Sequence, residues 1–321
     1  VADPGPNYAH TPVLADRVVE LLAAVPAGTA VDLTVGGGGH AAMLLAAHPG
    51  LRLIGIDRDP SALTAASQRL EPHAGRVVLR HARSDSLSAV LAEEGRSDVV
   101  AVLADLGVSS PQLDRPERGF SYRDDMAGPL DMRMDPTRGP TAADLLNSLD
   151  EAELARILAD HGDERFARRI AAAIVAARPL RTTAELAALV RDAIPAPARR
   201  RGGHPAKRTF QAIRIAVNEE LDVLAATLDQ AIDALRPRGR AVVLSYQSGE
   251  DRLVKARFRD AADGGCTCPP GLPCACGAVP VARILTRGGM TPSPAEREAN
   301  PRAASARLRA IEKLDSVGGR R

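Results

Sequence analysis

The chain has 321 residues, 45% of them hydrophobic, enough for one large core and a smaller second one. Its 42 Lys and Arg against 40 Asp and Glu leave a formal charge of +2, so only a local concentration of cations, not the total, could mark a nucleic-acid binder. No apolar run reaches the roughly eighteen residues of a membrane span and no signal-peptide pattern opens the chain, so a soluble cytoplasmic protein is expected.

Aromatic residues make up 2% of the chain and Trp is absent, so the core has to be built from Ala, Val, Leu and Ile. An apolar run, Ala30 to Leu33, enters the glycine loop VGGGGH, and a helix from Ala41 to Ala47 leaves it. LRLIGI (Leu51 to Ile56) reads as a second buried strand, Pro60 to Leu70 as a helix, and Arg76 to Leu79 as a third strand. A helix from Ser86 to Glu94 precedes a fourth strand, Asp98 to Leu106. Helices alternating with continuously apolar strands predict a parallel sheet covered on both faces, a doubly wound α/β fold.

The alternation then stops. Residues 111–140 are rich in Pro, Gly, Asp and Arg and are expected to be too polar for a core. Ser148 with Glu151 reads as the cap of one helix, LDEAELARILADHG, and Thr182 with Glu185 as the cap of another, which Pro195 stops. Between them Phe166, Ile170 and Ile174 make an apolar stripe. These segments predict an all-helical subdomain inserted after the fourth strand: residues 1–112 and 208–321 form one discontinuous domain around an insert at 113–207. A long helical stretch from Thr209 to Leu235, broken near Asn218, returns the chain to the sheet. Arg240 to Tyr246 reads as a fifth strand and Arg252 to Ala261 as a helix. Val281 to Thr286 and Ala306 to Ile311 are expected to close the sheet as an antiparallel pair.

Glycines between a strand and a helix let a ligand approach the backbone, and Gly36, Gly38 and Ala41 fit the spacing G-x-G-x-x-A. Asp57, closing the second strand, sits where a ribose-binding acid belongs. NAD and S-adenosylmethionine both use a loop and an acid of this kind. Asp32 favours the second: a carboxylate just before the glycines repels a pyrophosphate and attracts a methionine ammonium. No second mononucleotide-binding half is apparent, which also weighs against NAD. His40 is open between a ligand role and a helix-start role.

The segment ADLGVSSPQLD starts at the end of the fourth strand and sets Asp105 in the crevice of the glycine loop. Ser109, Ser110 and Gln112 follow with hydrogen-bonding groups, and Phe120 and Tyr122 offer rings that either stack on a base or anchor the insert. RRRGGHPAKR concentrates Arg199, Arg200, Arg201, Lys207 and Arg208 where the insert rejoins the sheet, a candidate phosphate contact that Arg133 and Arg138 extend. The cysteines all fall in CTCPPGLPCACG: Cys266, Cys268, Cys274 and Cys276. Four thiolates suit a structural zinc, while the Cys-x-Cys spacing, prolines and glycines suit an ordinary surface loop, so no metal is counted among the expected site residues.

In one order along the chain, HTPVL, DLTVGGGGH, IDRDP, LADLGVSSPQLD, ERGFSY with GPLDMRMD, GDERFARRIA, HPAKRTFQAIRIAVNEEL and ANPRAASARLR closely resemble segments of the bacterial 16S ribosomal RNA cytosine-N4 methyltransferase family (RsmH, also called MraW). The resemblance runs from His10 to about Lys313. It implies a class I S-adenosylmethionine-dependent methyltransferase, Rossmann-like, with an inserted helical domain, and methylation of one cytidine at the ribosomal decoding centre. Cofactor contacts implied by it fall on Gly38, Gly39, His40, Asp57, Asp105 and Gln112. One more falls near Ser84, where the family often has an aromatic residue against the adenine and this chain reads HARSDSL; Asp85 is the alternative acceptor. In SYQSGEDR the family commonly has Phe-His and a Leu where Tyr246, Gln247 and Gly249 stand, so no histidine base is expected there.

The expectation is therefore an RNA cytosine-N4 methyltransferase with S-adenosyl-L-methionine as cofactor and 16S rRNA of the small ribosomal subunit as partner. Asp105 is expected to orient the amine and accept its proton, with Ser109 and Ser110 as further catalytic candidates. A purely cofactor-binding role for Asp105 stays open. Rival readings are a methyltransferase for another RNA or DNA exocyclic amine, an NAD-dependent oxidoreductase, and an assembly factor that binds S-adenosylmethionine without turnover.

Overall fold

A computed structural model of the chain describes residues 12–199, 203–269 and 275–315. Seven strands form one sheet: β1 (Gly28–Asp32), β2 (Leu51–Asp57), β3 (Val77–His81), β4 (Val99–Asp105), β5 (Leu235–Ser245), β6 (Ala282–Ile284) and β7 (Arg307–Lys313). Their spatial order is β3-β2-β1-β4-β5-β7-β6. The first five run parallel, and β7 is antiparallel to both β5 and β6. Order reverses between β1 and β4, so the crevice where ligands bind in open α/β sheets lies at the carboxyl ends of those two strands.

The apolar runs become central strands because both faces of the sheet are covered. Alternate residues along a strand enter opposite cores: Ala30, Leu53, Val242 and Leu244 one, Val31, Ile54, Val102 and Val243 the other. This is why these strands read as continuous hydrophobic stretches without polar alternation. Each of β1, β2 and β4 ends in an acid, Asp32, Asp57 and Asp105, so the strand pattern delivers three carboxylates to one edge of the sheet. No helix among the described residues is long and apolar enough to cross a membrane.

The chain divides into two compact units, one built from the chain up to Gly107 and from Leu221 onward, the other from Val108–Glu220. The second contains the helices Ala142–Ser148, Glu151–Gly162, Ala167–Ala176, Thr183–Ala193 and Lys207–Asn218. Their apolar stripes meet in a core that includes Leu154, Ile170, Ile174, Leu186 and Ile213. Helix Lys207–Asn218 belongs with these helices rather than with the sheet, because Gly162 lets its backbone come close: a Cβ there would lie 2.7 Å from the Arg208 carbonyl oxygen. The compact units therefore part at 107/108 and 220/221, where the sequence placed the divisions at 112 and 208. The helical stretch breaks at Glu219, whose φ of 52° is left-handed, before helix Glu220–Ala234 begins.

Two local expectations need correction. Helix Glu151–Gly162 is capped by Asp150 with Glu153, while Ser148 is the last residue of the preceding helix, Ala142–Ser148. Either pair has capping-box spacing; the prior helix consumes Ser148, and Asp150 accepts from Glu153 N at 2.8 Å. Residues 111–140 also do contribute to a core: Phe120, Leu130, Met132 and Met134 are buried. Their polar neighbours pair locally, as Arg133 does with Asp131, so a mean polarity hides the inward residues.

Asn218 holds this segment in place. It is 1% exposed, its Oδ1 accepts from Met134 N at 2.8 Å, and its Nδ2 donates to the Met132 carbonyl at 2.7 Å. Asn218→Ala would strand a buried N–H and a buried carbonyl, and a loss of about 2–4 kcal/mol in stability is expected. Urea unfolding of the purified variant checks it; a midpoint equal to wild type would show that the segment is held by packing alone.

Candidate active site

The glycine loop leaves β1 through a tight path that only glycine can follow. Gly38 has φ 76° and packs against Leu70, and a Cβ on Gly39 would lie 2.7 Å from Pro12 Cγ. Asp57 braces the loop: its Oδ2 accepts from Gly36 N at 2.8 Å and its Oδ1 from Asp59 N at 2.9 Å. Thr34 ties the neighbouring strand ends together, its hydroxyl accepting from Asp105 N at 2.7 Å.

All three strand-end acids are driven toward protonation. Burial pushes Asp32 up to about 8, against one backbone hydrogen bond from Thr34 and with the nearby Asp105 and Asp57 raising it further. Burial likewise pushes Asp57 up to about 6, although the backbone N–H groups of Asp59 and Gly36 oppose it. Asp105 is raised mainly by burial, while His40 and Tyr246 pull it down. No Lys or Arg ion pair reaches any of these three acids among the described residues.

Asp105 is gripped from two sides. Tyr246 donates its hydroxyl proton to Oδ1 at 2.8 Å, and His40 Nδ1 lies 3.6 Å from Oδ2. The other imidazole nitrogen, Nε2, is 2.9 Å from the Val13 carbonyl, an acceptor only, which assigns a proton to Nε2. His40 Nδ1 lies beyond hydrogen-bond distance of Oδ2, so its effect on Asp105 is electrostatic and lowers the carboxyl. Sequence reasoning treated Tyr246 only as a departure from a family pattern and passed over Thr34. A usable signal was there for Tyr246: it follows the carboxyl end of β5, the strand paired with β4.

Carboxylates grouped at one strand edge with no Lys or Arg pair suit a ligand that carries an ammonium and hydroxyls. The same carboxylates repel a pyrophosphate, which disfavours NAD. Ser84 is engaged elsewhere, its hydroxyl 2.9 Å from that of Thr227, and Asp85 pairs with Arg83 at 2.8 Å.

Within the helical unit, Gln112 Oε1 accepts from Ser109 N at 3.0 Å, closing the short helix Ser110–Asp114, and Ser110 is half-buried. Ser109 Oγ is buried and sits in the capping-box position over the Gln112 N–H without a hydrogen bond of good geometry among the described residues. Phe120 is only 5% exposed and packs in the core, so its ring anchors the unit. Tyr122 stacks on His204 with centroids 4.6 Å apart, and meets Phe210 edge-on. His204, Arg165, Arg199, Lys207 and Arg208 line a pocket of about 410 Å³. Arg199 and Arg208 donate to the backbone carbonyls of Ile194 and Asp163, which fixes their guanidinium groups. Arg133 is held by Asp131, which takes it from the basic run, and Arg200 and Arg201 lie outside the described residues.

The reversed final strand pair, the glycine loop and the acids at the carboxyl edge define the class I, Rossmann-like S-adenosylmethionine-dependent methyltransferase fold, here with an inserted helical subdomain. The chain belongs to the MraW methylase family, whose profile matches residues 7–314. It is 58% identical to the ribosomal RNA small subunit methyltransferase H of Frankia alni, over 95% of this chain and 95% of that one. The protein of the same name from Thermobifida fusca is 54% identical, over 96% of this chain and 94% of the relative. Among solved structures, an rRNA methylase from Streptococcus thermophilus aligns over 94% of each chain with a TM-score of 0.42 and 12% identity.

Proposed function

We propose that this protein transfers a methyl group from S-adenosylmethionine to the exocyclic N4 amine of a cytidine in 16S rRNA of the small ribosomal subunit. The observation that carries the reading is Asp105: a part-buried, strand-end carboxylate, raised toward protonation and held by the Tyr246 hydroxyl with His40 nearby, beside a glycine loop with two further acids. Near-full-length relatives named for small-subunit ribosomal RNA methylation support the choice of acceptor.

Bound S-adenosylmethionine supplies an electrophilic methyl group on a sulfonium centre. Gly36, Gly38 and Gly39 open the backbone to it, Asp32 takes its methionine end beside the His40 ring, and Asp57 takes its ribose. The family resemblance adds Gln112 to the cofactor contacts. Ser84 and Asp85 are already paired, so their contribution to the adenine is confined to shaping that end of the pocket.

The N4 lone pair of cytosine is delocalised into the ring, which makes the amine a poor nucleophile. Asp105, ionised, accepts an N–H from that amine, draws the nitrogen toward a tetrahedral shape and fixes its line of approach. The methylated nitrogen is acidic, so a carboxylate is base enough to take its proton. Ser109 and Ser110 offer hydroxyls to the base or its ribose. Tyr122, stacked on His204, is the aromatic surface for an unstacked nucleotide, in preference to the buried Phe120.

Arg199, Lys207 and Arg208 are the phosphate contacts. Lys207→Ala is expected to weaken RNA binding about equally for all sequences and to flatten the salt dependence by about one unit of slope. Filter binding over a salt series measures this, and an unchanged slope would exclude Lys207 from the interface.

Tritiated methyl donor and small subunits isolated without this modification test the reaction itself, with mass mapping of the labelled nucleotide. Label on cytidine N4 is expected. Cofactor binding with no label in the RNA would overturn the reading in favour of a binding factor without turnover.

A further inference from the structure

We propose that Cys266, Cys268 and Cys276 hold a structural zinc ion in the loop that joins helix Ser248–Asp263 to β6. Their Sγ atoms all lie within 4.8 Å of one another, and those of Cys266 and Cys276 are 3.7 Å apart. Thiolates at Zn–S distances of about 2.3 Å on a tetrahedron are separated by about 3.8 Å, so the three sulfurs stand close to a coordination face without needing backbone movement. A disulfide accounts for two sulfurs at most and requires an S–S distance of about 2.0 Å.

The path of the loop brings the cysteines together. Gly264, in a left-handed cap with φ 68°, lets the returning chain touch it: a Cβ there would lie 2.4 Å from Val279 N. Val281 N donates to the Ala261 carbonyl at 2.8 Å, which pinches the loop at its base. Inside that pinch none of the described residues from 262 to 281 is buried. Hydrophobic burial therefore does not hold the sulfurs together, and a metal is the customary device when a loop of this length has no core of its own. Ala275 N donates to Cys268 Sγ at 3.3 Å, the kind of N–H···S contact that steadies a zinc-bound thiolate.

Each thiol gives up its proton to solvent as it binds, with no change of oxidation state. The fourth coordination position is filled by a group outside these three residues; Cys274 lies outside the described residues. The ion would clamp the end of helix Ser248–Asp263 to the β6–β7 pair at the sheet edge, at a distance from methyl transfer. The inference is thus independent of the substrate.

The full chain, purified under reducing conditions without metal-affinity steps, should carry about one zinc per molecule by elemental mass spectrometry. Chelation should expose additional reactive thiols, and cobalt reconstitution should give thiolate charge-transfer and tetrahedral visible bands. Cys266→Ser and Cys268→Ser should each lower metal affinity by roughly tenfold or more. Chelation and cobalt spectra of the wild-type chain need no variant to fold. A reduced protein that holds no zinc and gives no cobalt spectrum would overturn the proposal, as would a Cys266–Cys276 disulfide found in freshly isolated protein.

Discussion

Asp105→Asn is expected to slow methyl transfer by about two orders of magnitude while leaving cofactor affinity within roughly threefold. Asn keeps the shape of Asp and still accepts the Tyr246 hydroxyl, so the pocket should persist. It cannot take a proton, and an amide nitrogen in the Oδ2 position would present donors toward the amine where an acceptor is needed. Single-turnover transfer to small subunits, alongside calorimetric cofactor binding, separates the two effects. Unchanged transfer, or a loss seen in affinity and not in rate, would reduce Asp105 to a cofactor ligand. Tyr246→Phe gives a gentler companion result. Its hydroxyl pulls the Asp105 titration down, and the proposed mechanism needs Asp105 ionised, so removing it should move the acid limb of the pH–rate profile to higher pH.

The second large effect belongs to Asp32. Because burial holds its carboxyl at about 8, the ligand-free protein carries a proton there at neutral pH. A cationic ligand selects the ionised form and expels that proton. Cofactor affinity should therefore rise by about tenfold per pH unit below pH 8 and level off as Asp32 ionises. Calorimetry in buffers of different ionisation heat should show about one proton released per binding event at neutral pH. Asp32→Asn should abolish the proton release and weaken binding at pH 8 by at least about tenfold. Equal proton release in wild type and variant would place the ammonium partner elsewhere.

Without ligand, the same group works against stability. An acid whose folded value lies above its ordinary 3.8 stabilises the fold while protonated, and that advantage is lost as pH rises toward about 8. The ligand-free wild type should accordingly lose stability relative to Asp32→Asn between about pH 4 and 8, with Asp57 adding a loss common to both proteins up to about pH 6. The proposed cationic cofactor would offset the Asp32 burden on binding.

Most of the sheet was legible before any coordinates. Continuous apolar runs ending in Asp at 32, 57 and 105 predicted parallel strands and, through their ends, one acid-lined edge. The break near Asn218 was legible too, since the stretch from Thr209 to Leu235 is long for one ordinary helix, and the chain turns left-handed at Glu219. What misled was averaging. Residues 111–140 look like a polar loop until Leu130, Met132 and Met134 are seen buried, with Asn218 satisfying the backbone of the two methionines. The helix Lys207–Asn218 resembles a return to the sheet until Gly162 is seen admitting its backbone. Neither depends on local pattern; both depend on a partner more than forty residues away.

The sequence by itself determined the strand order's raw material, the glycine loop, the three strand-end acids and the family, because period, capping and motif are properties of neighbouring residues. Tertiary structure alone decided which groups act on Asp105, that Phe120 is committed to packing, and that Tyr122 stacks on His204. It also decided that three cysteine sulfurs converge. Those are distances between residues far apart in the chain, and the burial that shifts the acids exists only once both faces of the sheet are covered.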